Sequence, residues 1–229
     1  MRIVSLVPSA TETLLAWGIE PVAVTRFCEQ GDRFPTVGGT KDPDIEAIVA
    51  MRPDVVVMCD QENRLADAGA LEAAGVSIHA VSITSLGAVG PEMTRLAERI
   101  GVPRANGDAC AVATDSRPEY VCAYVPIWKR PWMTINGDTY GASVLASIGF
   151  VTVALGHADR YPVMDPQHAR ALGANLVVAP DEPYAFSERH RQELEVAAPV
   201  VFVNGQDLFW WGARTPAAVA RLAARLTPE

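Results

Sequence analysis

Residues 3–25 read IVSLVPSATETLLAWGIEPVAVT, and residues 134–156 read TINGDTYGASVLASIGFVTVALG. Each stretch runs from a short apolar segment through a polar turn into an apolar-periodic helix, then to a glycine, then to a second apolar segment. Aligned on that glycine, Val4, Leu14, Gly18 and Val22 fall on Ile135, Leu145, Gly149 and Val153. Two further echoes follow. RPDVVVMCDQEN (52–63) matches GANLVVAPDEPY (173–184), and IHAVSITSLG (78–87) matches VVFVNGQDLF (200–209). The chain reads as one half-domain written twice. Two similar lobes imply a cleft between them, and such clefts are where small ligands bind.

Working outward from the first copy, the pattern predicts strands 3–7, 21–25, 54–59 and 77–81 alternating with helices 10–17, 43–51 and 64–74. Ser9 is placed to cap helix 10–17, with Glu12 three residues on to complete a capping box. Gly18 stops that helix. Asp44 opens the next one and Pro53 ends it. Near-continuous apolar strands such as VVVM suit a parallel sheet covered on both faces. The second lobe predicts strands 120–125, 133–136, 151–155, 175–179 and 200–203, with helices 140–148, 166–172 and 187–196. A final helix, 216–226, has Thr215 as cap and Pro216 in its first turn. The fold class is α/β: two similar lobes, each a parallel-type sheet flanked by helices, joined by a single mainly helical linker. The expected organisation is an N-terminal lobe over 1–87, a linker over 88–118 and a C-terminal lobe with its final helix over 119–229. Within the linker, 91–100 is helical with Met93, Leu96, Ala97 and Ile100 on one face, and ACAVATDS (109–116) offers a second short helix.

Composition narrows the function classes. The 229 residues carry a formal net charge of −8, and no basic run interleaved with aromatics occurs, so nucleic-acid binding is not expected. No apolar stretch reaches membrane-span length, so no membrane insertion is expected. The apolar start at Ile3 pairs with the later copy and reads as fold rather than as a secretion signal, which points to the cytoplasm. Cys28, Cys59, Cys110 and Cys122 are scattered without a C-x-x-C pair, as reduced thiols are.

In a parallel α/β sheet, ligands sit beyond the carboxyl ends of the strands. In the first lobe those turns carry Pro8 and Ser9, then Phe27, then Glu62, Asn63 and Arg64. In the second they carry Arg160, then Tyr184 and Phe186, then Trp210 and Trp211. Four of the five tryptophans fall in PIWKRPWM (126–133) and DLFWW (207–211). Turns are normally polar, so large aromatics there need a reason: stacking on a flat ligand, or packing the lobes. Trp128 and Trp132 suit either role, whereas the Trp210–Trp211 pair suits a ligand wall. Arg64, Arg130 and Arg160 add guanidinium groups able to meet carboxylates or stack on rings. No phosphate-cradling glycine loop, nucleophile elbow or H-E-x-x-H is present. No catalytic residue, metal ligand or intrinsic cofactor is therefore assigned.

RIVSLVPSATETLLAWG, VGGTKDPDIEAIVAMRPDVVV and LEAAGVSIHAV resemble the class III, cobalamin-type periplasmic substrate-binding proteins, also called helical-backbone metal receptors. The resemblance covers nearly the whole chain, and PIWKRPWMTINGDTY with DEPYAFSERH resembles a signal-less, cobalamin-binding-like branch. It implies two lobes joined by one long helix, and corrinoids, ferric siderophores or haem as ligands. It also implies aromatic side chains from both lobes around a corrin, with Trp210 at one such position and Phe27 in the first lobe. The linker departs from the family's single long helix at Pro103 and Gly107. Family docking to a membrane ABC transporter uses one surface carboxylate per lobe, and those positions hold about Leu65 and Gly212. The resulting expectation is a non-enzymatic binding protein for a corrinoid, ferric chelate or similar small molecule, with transporter docking doubtful. The alternative is a metal- or tetrapyrrole-handling enzyme or chaperone on the same scaffold, working through His157, Asp159 and Glu182.

Overall fold

Short apolar runs bounded by turn residues become strands, most of whose residues are buried. A computed structural model describes residues 1–29, 31–103 and 120–227. In the first half these runs form β1 (Ile3–Ser5), β2 (Ala23–Val24), β3 (Val55–Cys59) and β4 (Ile78–Val81). They make one parallel sheet in the order β2-β1-β3-β4, with Val4 opposite both Ala23 and Val56. The second half forms β5 (Val121–Tyr124), β6 (Phe150–Thr152), β7 (Leu176–Pro180) and β8 (Val200–Val203) in the order β6-β5-β7-β8, again all parallel. The strand order is thus the same in both sheets, as the repeated sequence implies.

Helices α1 (Pro8–Ala16), α2 (Ile45–Ala50) and α3 (Leu65–Ala73) flank the first sheet; α4 (Leu86–Ile100) follows β4. In the second half come α5 (Tyr140–Ser147), α6 (Pro166–Ala171), α7 (Arg191–Leu194), α8 (Gly205–Phe209) and α9 (Thr215–Leu226). Asp44 caps α2 by accepting from Ala47 N at 3.0 Å. Gly18 and Gly149 end α1 and α5 at φ +75 and +90, a left-handed conformation that favours glycine. Each unit has its own apolar core. Leu6, Ile48, Val56, Met58 and Leu71 pack in the first, and Tyr124, Val177, Ala179 and Leu194 in the second. None of the described helices is long and apolar enough to cross a membrane.

Several expectations are corrected. Ser9 does not cap α1. Pro8 already occupies the first helical position, where its missing N–H costs nothing, so the helix starts before the serine and Val7 is the capping residue without a side-chain bond. Ser9 is buried in the first turn, and its carbonyl accepts from Thr13 Oγ1 at 2.8 Å. Residues 133–136 are not a strand of the sheet but a ribbon held by isolated bridges to Trp128, Val163 and Ala154. The span 187–196 is broken into a 3₁₀ turn (Glu188–His190) and the short α7. Helix α4 starts earlier than expected and contains Pro91. Its buried positions Leu86, Val89, Met93, Leu96 and Ile100 keep helical spacing throughout, and that packing outweighs the one backbone bond proline removes. Cys110 and the expected helix over 109–116 lie outside the described residues.

The chain divides into two compact units. The first takes in 1–83, 87–103 and 211–214 of the described residues; the second takes in 84–86, 120–210 and 215–227. Trp211–Arg214, expected in the C-terminal lobe, therefore group with the first unit. There Ala213 N donates to Thr13 Oγ1 at 3.2 Å, and Arg214 pairs with Glu12 at 3.4 Å. Glu12 is thus engaged far along the chain rather than with Ser9.

Candidate functional site

In the first unit, the turns after β1, β2 and β3 are tied together by one side chain. Asn63 Oδ1 accepts from Cys59 N at 2.8 Å, while Nδ2 donates to Thr40 O at 2.8 Å and Leu6 O at 3.3 Å. Both of its amide protons are used, so Asn63 shapes the rim rather than offering a free contact. The 37–43 loop supplies a second constraint. Gly38 turns at φ +83, and a Cβ on Gly39 would meet Asp42 Oδ1 at 2.5 Å and Phe27 Cε2 at 2.8 Å. Only glycine lets this loop pass beneath the next side chains. Arg26 lies 4.8 Å over the Phe27 ring and bonds Asp42 at 2.9 Å, which holds Phe27 at the surface with 52% exposure. Behind it the Cys28 thiol meets Thr11 Oγ1 at 3.2 Å and Thr25 Oγ1 at 3.4 Å. Glu62 is half-buried in the turn after β3, and burial pushes its carboxyl up to about 7 while Lys41 pulls the other way. Arg64 beside it is exposed.

The second unit builds a different surface. Residues 125–139 lie between β5 and α5, where the first unit needs only Leu6 and Val7 between β1 and α1. This insertion forms the ribbon. Its backbone bonds Pro162 O through Thr134 N (3.0 Å), Arg160 O through Asn136 N (2.9 Å) and Leu155 O through Gly137 N (3.2 Å). Asn136, buried, ties the turn internally: Nδ2 donates to His157 O at 2.9 Å and Oδ1 accepts from Asp138 N at 2.8 Å. These adjacent segments expose Trp128, Leu155, Tyr161 and Val163, large apolar side chains 45–65% accessible. Behind Trp128 the aromatic packing continues inward. Trp128 meets Tyr184 edge-on at 5.7 Å, Tyr184 meets Phe186 at 4.6 Å, and Phe186 stacks on Trp132 at 5.8 Å. His190 closes the cluster; burial lowers its pKa, and its Nδ1 accepts from Ser187 N, which leaves the proton on Nε2.

The turns after β7 and β8 are locked to each other. Asp181 Oδ1 accepts from Gly205 N at 2.6 Å, and Glu182 accepts from Gln206 Nε2 at 3.3 Å and Trp210 Nε1 at 3.2 Å. Gly205 is required here, because a Cβ would sit 2.6 Å from Glu182 N. Beside the ribbon a groove of about 550 Å³ opens, with Ser85, Asp138, Ser143, Leu155 and Arg160 among its walls.

Both sheets run in one strand order, and both gather aromatic and polar side chains at their carboxyl-end turns. The fold is similar to that of solved periplasmic binding proteins. Residues 3–111 match the family model described as periplasmic binding protein. Over 99 residues, 42% of the chain, the sequence is 28% identical to the vitamin B12-binding protein of Salmonella choleraesuis (strain SC-B67), and the match spans 37% of that relative's length. Solved structures extend the likeness over the whole chain. The periplasmic vitamin B12 binding protein BtuF of Vibrio cholerae superposes with a TM-score of 0.79 at 19% identity, covering 98% of this chain and 96% of its own. The periplasmic heme-binding protein RhuT from Roseiflexus sp. RS-1 gives 0.81 at 16%, covering 97% and 96%. A periplasmic heme binding protein from Pseudomonas aeruginosa gives 0.80 at 21%, covering 100% and 94%. At these identities the likeness is one of fold.

On this scaffold the expected site residues divide into presented and packed groups. Phe27, Arg64, Trp128 and Arg130 are exposed, and Glu62, Arg160, Tyr184 and Trp210 are half-buried at the turns. Pro8 and Ser9 are buried in α1, Phe186 is 3% exposed within the aromatic cluster, and Trp211 is 2% exposed within the first unit. Trp211 is buried, while Trp210 is half-buried with its Nε1 bonded to Glu182, so the two side chains are not equally presented. The reasoning from sequence missed Leu155 and Val163 as exposed positions and left Tyr161 out of the expected contacts; apolar residues within a turn-rich stretch were the available signal. The His157 ring accepts from Asp159 N of its own turn at 3.0 Å, while the His157 carbonyl accepts from Asn136 Nδ2 at 2.9 Å. Glu182, the third member of that alternative set, is occupied by Trp210 and Gln206.

Proposed function

We propose that the protein binds a corrinoid or a comparable planar metal chelate, without catalysis, at the carboxyl-end turns of its sheets. The observation that carries this reading is the exposed apolar surface of Trp128, Leu155, Tyr161 and Val163. It is not a chance scatter of side chains, because hydrogen-bonded neighbouring segments hold all four together. A rigid surface of this kind loses little entropy on meeting a flat ligand. Phe27 on the first unit, with Arg26 stacked on it, is an exposed ring at that unit's own turns. Arg64, Arg130 and Arg160 supply polar recognition at the rims. The relatives named for vitamin B12 and heme binding support the same ligand class.

We further propose that the protein works without carboxylate-mediated docking to a transporter. Leu65, 89% exposed, and Gly212, packed on Thr13, stand where the resemblance implies docking carboxylates. Calorimetric titration with cyanocobalamin, haemin and a ferric siderophore tests the binding reading. Saturable binding of one of them, weakened about tenfold or more by Trp128→Ala, is expected. Silence with all three at micromolar protein overturns it.

A further inference from the structure

The groove beside the ribbon is formed by the second unit alone: every residue that lines it belongs to that unit. At about 550 Å³ it is large enough to take part of a small organic ligand. Hydrogen bonds between separate segments build its walls. Leu86 N donates to Ser143 Oγ at 2.8 Å, which fastens the 84–86 segment to α5. Thr139 caps α5 from the turn that carries Asp138, and Asp138 N is held by Asn136 Oδ1 at 2.8 Å. Gly137 lets Leu155 lie close, since a Cβ there would stand 2.7 Å from the Leu155 carbonyl oxygen and 2.8 Å from its Cδ1. Arg160 is pinned through its carbonyl, which accepts from Asn136 N at 2.9 Å. Ala142 and Ala146 on α5 and Phe150 on β6 supply apolar lining.

The charged groups of the groove are one of each sign, Asp138 and Arg160, and Ser85 and Ser143 add hydroxyls. A ligand carboxylate here gains from Arg160 and loses to Asp138, and an ammonium does the reverse. A neutral amide engages both, giving its N–H to the carboxylate and its oxygen to the guanidinium. It also gives up less hydration than a charged group does beside the apolar lining. Asp138 is exposed, so its bond to an amide strengthens as the bound group displaces water from the groove. Leu155 fixes what the groove serves. It lines the groove and also belongs to the exposed apolar surface with Trp128, Tyr161 and Val163. Resting on the ligand class argued above, we propose that the groove is a subsite for an amide-bearing side arm of the ligand, with Asp138 and Arg160 selecting amide over carboxylate. A corrinoid carries such arms around its ring whereas haem carries carboxylates, so the subsite favours the corrinoid within that class.

The test titrates cyanocobalamin, its monocarboxylic acids (one peripheral amide hydrolysed to a carboxylate), haemin and a ferric siderophore into the wild type, Asp138→Asn and Ala146→Leu, with circular dichroism confirming that the variants are folded. The wild type should bind at least one monocarboxylic acid about tenfold more weakly than cyanocobalamin. Asp138→Asn should close most of that gap, because the repelling charge is gone. Ala146→Leu, which narrows the groove without touching a charge, should weaken cyanocobalamin by about tenfold. Equal wild-type binding of cyanocobalamin and all its acids, a gap that persists in Asp138→Asn, or full cyanocobalamin affinity in Ala146→Leu overturns this proposal and leaves the ligand class standing. Binding of haemin or the siderophore without any corrinoid does the same. Silence with every ligand overturns the two together.

Discussion

At the scale of the residue, two asparagines carry more of the rim than any aromatic. Asn63 and Asn136 each hold backbone groups of separate turns, and each uses acceptor and donor together. Asn63→Ala should lose about 2–3 kcal/mol in urea unfolding, because it strands the Cys59 N–H and the Leu6 and Thr40 carbonyls. Arg64→Ala, next in sequence but exposed, should change stability by less than about 0.5 kcal/mol in the same measurement. The sequence placed Asn63 at the rim and misread its task, since a turn asparagine looks the same whether it faces a ligand or its own backbone. Ser9 was misread for a related reason. Ser-x-x-Glu is a capping signature, yet the proline before it had already begun the helix. Nothing in the sequence marked Asn136, whose bond to His157 O forms only once the 125–139 insertion is laid against the 154–163 turns.

At the scale of elements, the alternation of apolar runs and periodic helices was enough to expose the parallel sheets and their repeat. The insertion was not legible. Ile135 matches Val4 in pattern, but β5 lies well upstream of it, so the aligned copy is true from helix to β6 and false before it. That displaced stretch brings Trp128, Lys129, Arg130 and Trp132, which is why aromatic side chains concentrate in one unit. Short α8 was missed because five residues show no period; it is held by tertiary bonds instead. Asp207 on α8, 5% exposed, accepts two bonds from Arg221 on α9, at 2.8 and 2.6 Å. Arg221→Ala should destabilise by about 2 kcal/mol, read as a lowered urea midpoint, because it leaves a buried carboxylate short of its main cation. Replacement by lysine should recover only part of that loss, since lysine cannot form the two-pronged contact.

At the scale of the molecule, stability responds to pH through groups that oppose one another. His79 on β4 is buried. That burial lowers its pKa, as does Arg95 on α4, while Glu92 pulls upward. Its neutral form is the folded one, so its contribution is full above 6.5 and is lost as pH falls through the depressed value. Glu62 runs the other way. Its contribution is full below the ordinary carboxyl value of 4.5 and is lost as pH rises through about 7. Glu62→Gln should therefore gain about 1–2 kcal/mol over the wild type at about pH 8, and nothing at about pH 4, by urea unfolding at the two pH values. A variant that gains equally at both would show that the carboxyl does not titrate as described. One further consequence follows from Trp211–Arg214, which pack on α1 while the chain on either side belongs to the second unit. A chimera that replaced everything from residue 120 onward with a relative's sequence would have to accept a foreign tetrapeptide against Thr13. There a Cβ at position 212 would collide with the hydroxyl, so glycine at that one position becomes a compatibility requirement for every donor sequence.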